Sequence, residues 1–288
     1  MTSSAPSHLL TQQEKQARIY EDDVYPLIGQ KLADLLTHGV SFPPAAHVLQ
    51  IGCGLGTTTT ELLRRMDPDG RLIAIEQSAA FVERARGNAP AEYLGRRVFF
   101  RAHDPTSKLP FSDRAFDSIL ANVQFPERSS PAALLADTAR LMKPGGRFRL
   151  STLVTGTWRE FLDVYSDVLV RLRKEDVAAA LAEYERTFPE PEALAKQLEA
   201  AGFVDVDVET THWELVFRSA REFFYAPVIE RGPLGRWKAL AGKGPEMQDI
   251  FFAVKQAIDT YFGQHPFSVT LVGGIFSGTW QGSIGASP

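Results

Sequence analysis

Val48-Leu49-Gln50-Ile51-Gly52-Cys53-Gly54-Leu55-Gly56 runs an apolar segment straight into three glycines, as a buried strand does before a tight turn and a helix. Glycines there permit positive φ and let a ligand approach the backbone, while free N–H groups at the helix start favour an electronegative group. Nucleotides and nucleosides have that chemistry, although the same residues would also make a sharp turn with no ligand. The spacing narrows the choice. A dinucleotide fingerprint, G-x-G-x-x-G, needs glycine at 57, where this chain has Thr57; its glycines fall as G-x-G-x-G. A nicotinamide-dependent oxidoreductase is thereby disfavoured.

Outward from this loop the pattern alternates. His47–Ile51 reads as a strand, Thr58–Met66 as a helix, Asp67–Gly70 as a turn and Leu72–Ile75 as a second strand ending at Glu76. Phe81–Arg86 follows as helix, Val98–Arg101 and Ser118–Ala121 as strands, Pro131–Met142 as helix, and Arg147–Val154 as a strand after a Lys-Pro-Gly-Gly turn. Such alternation predicts an α/β fold with a mostly parallel sheet covered on both faces. Upstream, Gln12–Thr37 has helical spacing interrupted by Pro26, which predicts two short helices, after a Ser/Pro-rich tail at Met1–Ser7. Downstream, Trp158–Thr187 reads as an inserted helical cap. Pro191–Ala201 is a helix closed by Gly202, and Phe203–Val208 alternates as a half-buried strand. A second insertion spans Ser219–Gly263, with an amphipathic helix near Gln248–Phe262; Phe267–Trp280 is a last strand, and a tail follows Gly282. The expected units are 1–46, 47–155, 156–190, 191–218, 219–265, 266–282 and 283–288.

The 288 residues are 44% hydrophobic and 23% charged, an ordinary globular composition. With 31 Lys+Arg against 35 Asp+Glu the formal charge is −4, so no surplus of cations stands ready to neutralise a nucleic-acid backbone. One cysteine, Cys53, excludes an internal disulfide and a cysteine-rich zinc site. The six histidines lack metal-ligand spacing, so no metal is expected. No apolar run is long enough for a membrane helix and no basic-then-apolar leader opens the chain, so a cytoplasmic protein is expected.

Four features, in order, resemble the class I S-adenosylmethionine-dependent methyltransferases, in particular the small-molecule branch of the quinone-pathway and biotin-pathway enzymes. They are the loop Gly52–Gly56; Glu76 about twenty residues later; Asp104 ahead of Leu109-Pro110-Phe111; and Phe116–Asn122 ahead of Leu141-Met142-Lys143-Pro144-Gly145-Gly146. The resemblance implies a Rossmann-like seven-stranded sheet with helical cap insertions, with S-adenosylmethionine as cofactor and S-adenosylhomocysteine as product. It assigns the donor site to Gln50, Gly52, Cys53, Gly54, Gly56, Glu76, Gln77, Asp104 and Asn122. Glu76 would accept from both ribose hydroxyls and Asp104 from the adenine amino group, while Asn122 would face the methyl donor. Read without the resemblance, these are a turn glutamate, a turn aspartate and a strand cap. Tyr20 and Tyr25 would cover the donor from the N-terminal helices, or simply pack on the sheet.

Methyl transfer from a sulfonium is an in-line displacement, so alignment and water exclusion dominate and no fixed triad marks the sequence. His212, placed after the sixth strand, is the candidate acid-base residue. Trp158, with Phe223, Phe224, Tyr225 and Trp237 of the second insertion, would either pack as core, as aromatic residues at such spacing more often do, or line an apolar acceptor site, which favours a lipophilic small molecule or an acyl chain on a carrier. Two departures from the family, Gln50 where an acidic residue is usual and Pro105 beside Asp104, predict a weakened donor site. They leave a catalytically silent scaffold as the second expectation.

Overall fold

The computed structural model describes residues 12–104, 107–126, 130–263 and 265–282. The expected tails at Met1–Ser7 and after Gly282, and Pro105, lie outside them. A seven-stranded sheet organises the chain, in the order β3-β2-β1-β4-β5-β7-β6. β1 (His47–Ile51) pairs in parallel with β2 (Arg71–Glu76) and β4 (Phe116–Val123). β2 pairs with β3 (Val98–Ala102), and β4 with β5 (Met142–Leu153), also in parallel. β7 (Phe267–Trp280) runs antiparallel between β5 and β6 (Phe203–Phe217). Strand order reverses between β1 and β4, and in such sheets the crevice at the carboxyl ends of the strands beside the reversal receives ligands.

The central strands are buried on both faces because helices cover both. On one face α2 (Gln30–Thr37), α3 (Thr57–Arg65) and α4 (Ala79–Asn88) place Leu36, Leu62, Leu63 and Val82 against Val48 and Leu72. On the other, α5 (Pro131–Leu141) and α8 (Pro191–Ala200) place Leu134, Leu135, Leu194 and Leu198 against Leu49, Ile119 and Leu150. A third apolar cluster lies in the cap. It joins α6 (Arg159–Arg171) and α7 (Glu175–Glu185) to α9 (Ala220–Tyr225), α10 (Pro227–Glu230), α11 (Leu234–Leu240) and α12 (Pro245–Phe262) around Trp158, Phe161, Phe223 and Trp237. No helix of the described residues is long and apolar enough to cross a membrane.

Four elements differ from the sequence reading. β5 begins at Met142, paired with Phe116 across a shift in register, and takes in the Lys143–Gly146 segment read as a turn. The N-terminal segment is not two helices broken at Pro26 but one continuous helical stretch. α1 (Gln12–Ile19) passes into a π-helical segment, Tyr20–Gly29, and then into α2, with the Gln30 N–H donating to the Tyr25 carbonyl five residues back. The widened turn admits a proline ring that an α-helix would expel. The cap segment 158–187 divides at Leu172–Lys174, where Arg173 takes φ +56°. β6 extends nine residues past Val208, since Glu209–Phe217 is paired in register along β7. Glu209–His212 is exposed and polar, so pairing makes it a strand, and alternation resumes at Trp213, with Leu215 and Phe217 buried between exposed Glu214 and Val216.

Candidate active site

At the carboxyl ends of β1, β2 and β4 a cavity of about 940 Å³ opens. Its floor is the loop Gly52–Gly54 with Glu76 and Gln77. Asn122, Gln124 and Phe125 form one side, and Tyr20, Val24 and Tyr25 of the π segment cover it. Glu230, Arg231 and Arg236 of the α10–α11 region close the far wall. α10 packs against the π segment, so the two covers meet.

The floor is built by backbone conformation. Gly52 takes φ +69°, and a Cβ there would lie 2.3 Å from the Asn122 carbonyl oxygen, so only glycine lets β1 and β4 close at this point. The N–H groups of Gly52 and Cys53 both donate to the Ile75 carbonyl, at 3.0 and 3.1 Å, tying the loop to the end of β2. The Gly54 N–H donates to Oε2 of Glu76 at 3.0 Å. The N–H groups of Gln77 and Ser78 donate to its Oε1 at 2.9 and 3.2 Å. Burial holds the Glu76 carboxyl above the usual glutamate range, against the downward pull of these three donors. Two of these donors fill Oε1, so the carboxylate is fixed at the edge of the cavity with a lone pair on Oε2 left to accept. Gly54 also has positive φ, +55°, but a Cβ there would meet no protein atom. Burial, and then Glu76, push the Cys53 thiol upward, which makes it an unreactive small residue.

The cover engages the strand ends. Burial, with Glu76 adding to it, raises the Tyr20 hydroxyl's pKa, so this group stays protonated and donates to Oε1 of Gln124. Its ring packs 5.1 Å from Phe81 and 6.3 Å from Tyr25. Nε2 of Gln124 and Oδ1 of Asn122 are buried beside the cavity with no hydrogen-bond partner among the described residues. Buried atoms of that kind fit a ligand that supplies an acceptor to the first and a donor to the second.

The structure brings Tyr20, Tyr25, Gly52, Cys53, Gly54, Glu76, Gln77 and Asn122 to the cavity and leaves the other expected residues outside it. Gln50 is fully buried and faces α3, where Oε1 accepts from the Thr59 hydroxyl at 2.6 Å. Gly56, at φ +81°, serves packing: a Cβ there would lie 2.9 Å from Ala85 on α4. Asp104 is exposed, its carbonyl accepting from Ser107, and is not among the lining residues. Trp158 is fully buried, edge-on to Trp237 at 5.8 Å, and Phe223 packs with them. The insertions fold their aromatic rings into a core shared with β6 and β7, Phe223 packing on Phe217 and Phe267, so these residues do not line the cavity, while Tyr225 points to solvent. His212 does not follow the sixth strand but lies within it, paired with Val272 and exposed away from the cavity. Gln124, Phe125, Arg231 and Arg236 were missed. Gln124 and Phe125 carry the one readable signal, a position just past a central strand; the charged wall carries none, because chain order does not say which insertion returns over the site.

Residues 48–146 match a methyltransferase domain family. The chain is 30% identical over 172 residues to a demethylmenaquinone methyltransferase of Mycolicibacterium gilvum, covering 57% of this chain and 70% of that one. It is 27% identical over 230 residues to a malonyl-[acyl-carrier protein] O-methyltransferase of Brevibacillus brevis, covering 75% and 80%. The fold is shared with phosphoethanolamine N-methyltransferase 2 of Haemonchus contortus, solved with phosphomonomethylethanolamine and S-adenosylhomocysteine. That likeness has a TM-score of 0.55 at 15% identity and spans 93% of this chain and 57% of the other. Sheet order, glycine loop and relatives agree: the chain belongs to the class I S-adenosylmethionine-dependent methyltransferases.

Proposed function

We propose that this enzyme transfers the methyl group of S-adenosylmethionine to a small-molecule or carrier-bound acceptor seated between Asn122–Phe125 and the α10–α11 wall. The observation that carries the reading is the Glu76 carboxylate, fixed by three backbone N–H groups at the edge of a cavity that continues past the donor cradle to a second wall. The residues present fit the donor. Glu76 would accept from a ribose hydroxyl at Oε2, the space beside Gly54 admits the ligand against the backbone, and Oδ1 of Asn122 would accept from the donor's ammonium.

S-adenosylmethionine, when bound, supplies a methyl group on a sulfonium, whose departure as a neutral thioether needs no assistance from an acid. The chain's own work is alignment and exclusion. The loop and Glu76 fix one end of the line of displacement, and Gln124 and Phe125 border the other. Tyr20, Val24 and Tyr25 keep water from the reacting centre. Apolar lining from Val24, Val123, Phe125 and Leu134 suits an acceptor with an aliphatic or acyl body. Exposed Glu230, Arg231 and Arg236 put charge on the wall that a free molecule or an acyl group on a carrier arm would meet. The single, buried cysteine fits a reducing cytoplasm.

Calorimetry with S-adenosylhomocysteine, followed by transfer of labelled methyl to a metabolite extract, tests the reading. Binding in the micromolar range and one labelled product are expected. Absence of binding together with absence of label in any product would refute it.

A further inference from the structure

The wall opposite the glycine loop carries charge that the donor cradle does not use. Arg231 follows α10 and Arg236 lies on α11, with Glu230 as the carboxylate beside them. Arg236 is exposed and forms no ion pair among the described residues. The other carboxylate on the lining, Glu76, is already held by three backbone N–H groups. Gln124 adds a donor nearer the floor. Its oxygen is taken by Tyr20, whose buried hydroxyl remains protonated, so the amide keeps only its NH2 for a ligand, and Nε2, buried beside the cavity, has no partner among the described residues. Val123, Phe125 and Leu134 supply apolar lining to the same cavity. A ligand here meets an apolar surface and, from Gln124 and Arg236, groups that only donate hydrogen bonds.

We infer that the methyl acceptor is an amphiphilic anion. Its aliphatic body lies on Phe125, Val123 and Leu134, and a carboxylate or phosphate is taken by Arg236 with Arg231 beside it. A further oxygen accepts from Nε2 of Gln124. Guanidinium binds either anion through paired N–H groups, which is why the chemistry is shared between the two sources. The inference rests on the methyl-transfer reading above and adds the substrate class to it.

The test titrates octanoate, 8-hydroxyoctanoate, octyl phosphate and octanol into the protein saturated with S-adenosylhomocysteine, followed by calorimetry, in the parent and in Arg236→Gln, Arg236→Lys and Gln124→Leu. The anions are expected to bind about tenfold or more tighter than the alcohol, the scale of one hydrogen bond to a charged group. The tighter of octanoate and octyl phosphate identifies the headgroup. Arg236→Gln should remove most of that preference and Arg236→Lys keep part of it, both with unchanged melting because the side chain is exposed. Gln124→Leu should weaken 8-hydroxyoctanoate, which carries the further oxygen, while octanoate binds as before. Octanol binding as tightly as the anions, or a preference that survives Arg236→Gln, overturns the inference. If S-adenosylhomocysteine binds while no anion preference appears, this inference alone fails; if S-adenosylhomocysteine does not bind, the methyl-transfer reading fails with it.

Discussion

The Thr59 hydroxyl on α3 donates to Oε1 of Gln50 on β1 at 2.6 Å, with both residues fully buried. This places Gln50 in the seam between strand and helix rather than on the donor. The weaker donor site expected from a missing acidic residue therefore has no geometric basis at this position. Gln50→Glu would bury a carboxylate whose hydrogen-bonded neighbour is a single hydroxyl, at a cost of about 2 kcal/mol or more. Urea unfolding should show that loss while S-adenosylhomocysteine affinity stays at the parent value. Tighter binding in the variant would mean that residue 50 reaches the donor.

Removing the Glu76 carboxylate should cost the donor a charge-assisted contact. Glu76→Ala is expected to weaken S-adenosylhomocysteine by about 2 kcal/mol. The pH dependence has a definite sign. Burial raises this carboxyl's pKa, and ribose hydroxyls need the ionised form, so affinity should fall as pH drops through the raised value, before an ordinary glutamate near 4.3 would titrate. For the free protein the sign reverses. A raised folded pKa gives a stability contribution fully present below the unfolded pKa and lost as pH rises through the folded one. Calorimetry across that range in parent and Glu76→Ala checks both, and an affinity flat with pH in the parent would contradict the ribose assignment.

Gly52 and Gly54 share positive φ but should respond differently to alanine. Gly54→Ala meets no protein atom and incurs only the left-handed penalty, about 1–2 kcal/mol. Its methyl would stand in the cavity, so donor affinity should suffer more than stability does. Gly52→Ala adds a Cβ 2.3 Å from a backbone carbonyl at the end of β4, which cannot rotate aside. A loss above about 3 kcal/mol is expected in unfolding experiments. Equal losses in the two variants would show that the β1–β4 closure is looser than described.

The cover over the donor should tighten on binding. Tyr20 rests on Phe81, and the Glu21 carboxylate pairs with the Arg84 guanidinium, Nε lying 2.8 Å away, so the π segment is tied to α4 by surface contacts worth about 1 kcal/mol or less each. Hydrogen exchange in residues 20–29 is expected to slow when S-adenosylhomocysteine is added, with α7 unchanged. Protection confined to 52–54 would remove the cover from the mechanism.

What the sequence made legible was the part that local chemistry dictates. Gly52 and Gly54 sit where only positive φ serves, and Glu76 ends a strand beside them, so the donor floor could be read from nine residues and one spacing. What it hid depends on tertiary choice. Phe223 and Trp237 suited either a ligand pocket or a core and joined the core between cap and sheet, and Arg236 lines the cavity from the helix that follows α10, itself packed against the π segment. The alternation ends at Val208 and Glu209–His212 is polar, yet the strand continues through its register with β7. Asp104 matched the family by order along the chain, which does not specify the direction in which an exposed turn presents its side chain.

The π-helical segment sets the rotational phase of the cover. At about 100° per residue, side chains five positions apart on an α-helix diverge by about 140°, which would put Tyr20 and Tyr25 on different faces. A backbone that closes on five residues stacks them instead, and both tyrosines line the cavity. Gly29 completes the arrangement, since a Cβ there would lie 2.5 Å from the Tyr25 ring. Beyond it, α2 resumes the ordinary period and returns Leu32 and Leu36 to the buried interior. The wider winding of Tyr20–Gly29, which accommodates Pro26, thus lets a single helix face two directions in succession: the first serves the ligand and the second serves the sheet. A change that forced 20–29 into ordinary α winding would turn one tyrosine away from the donor.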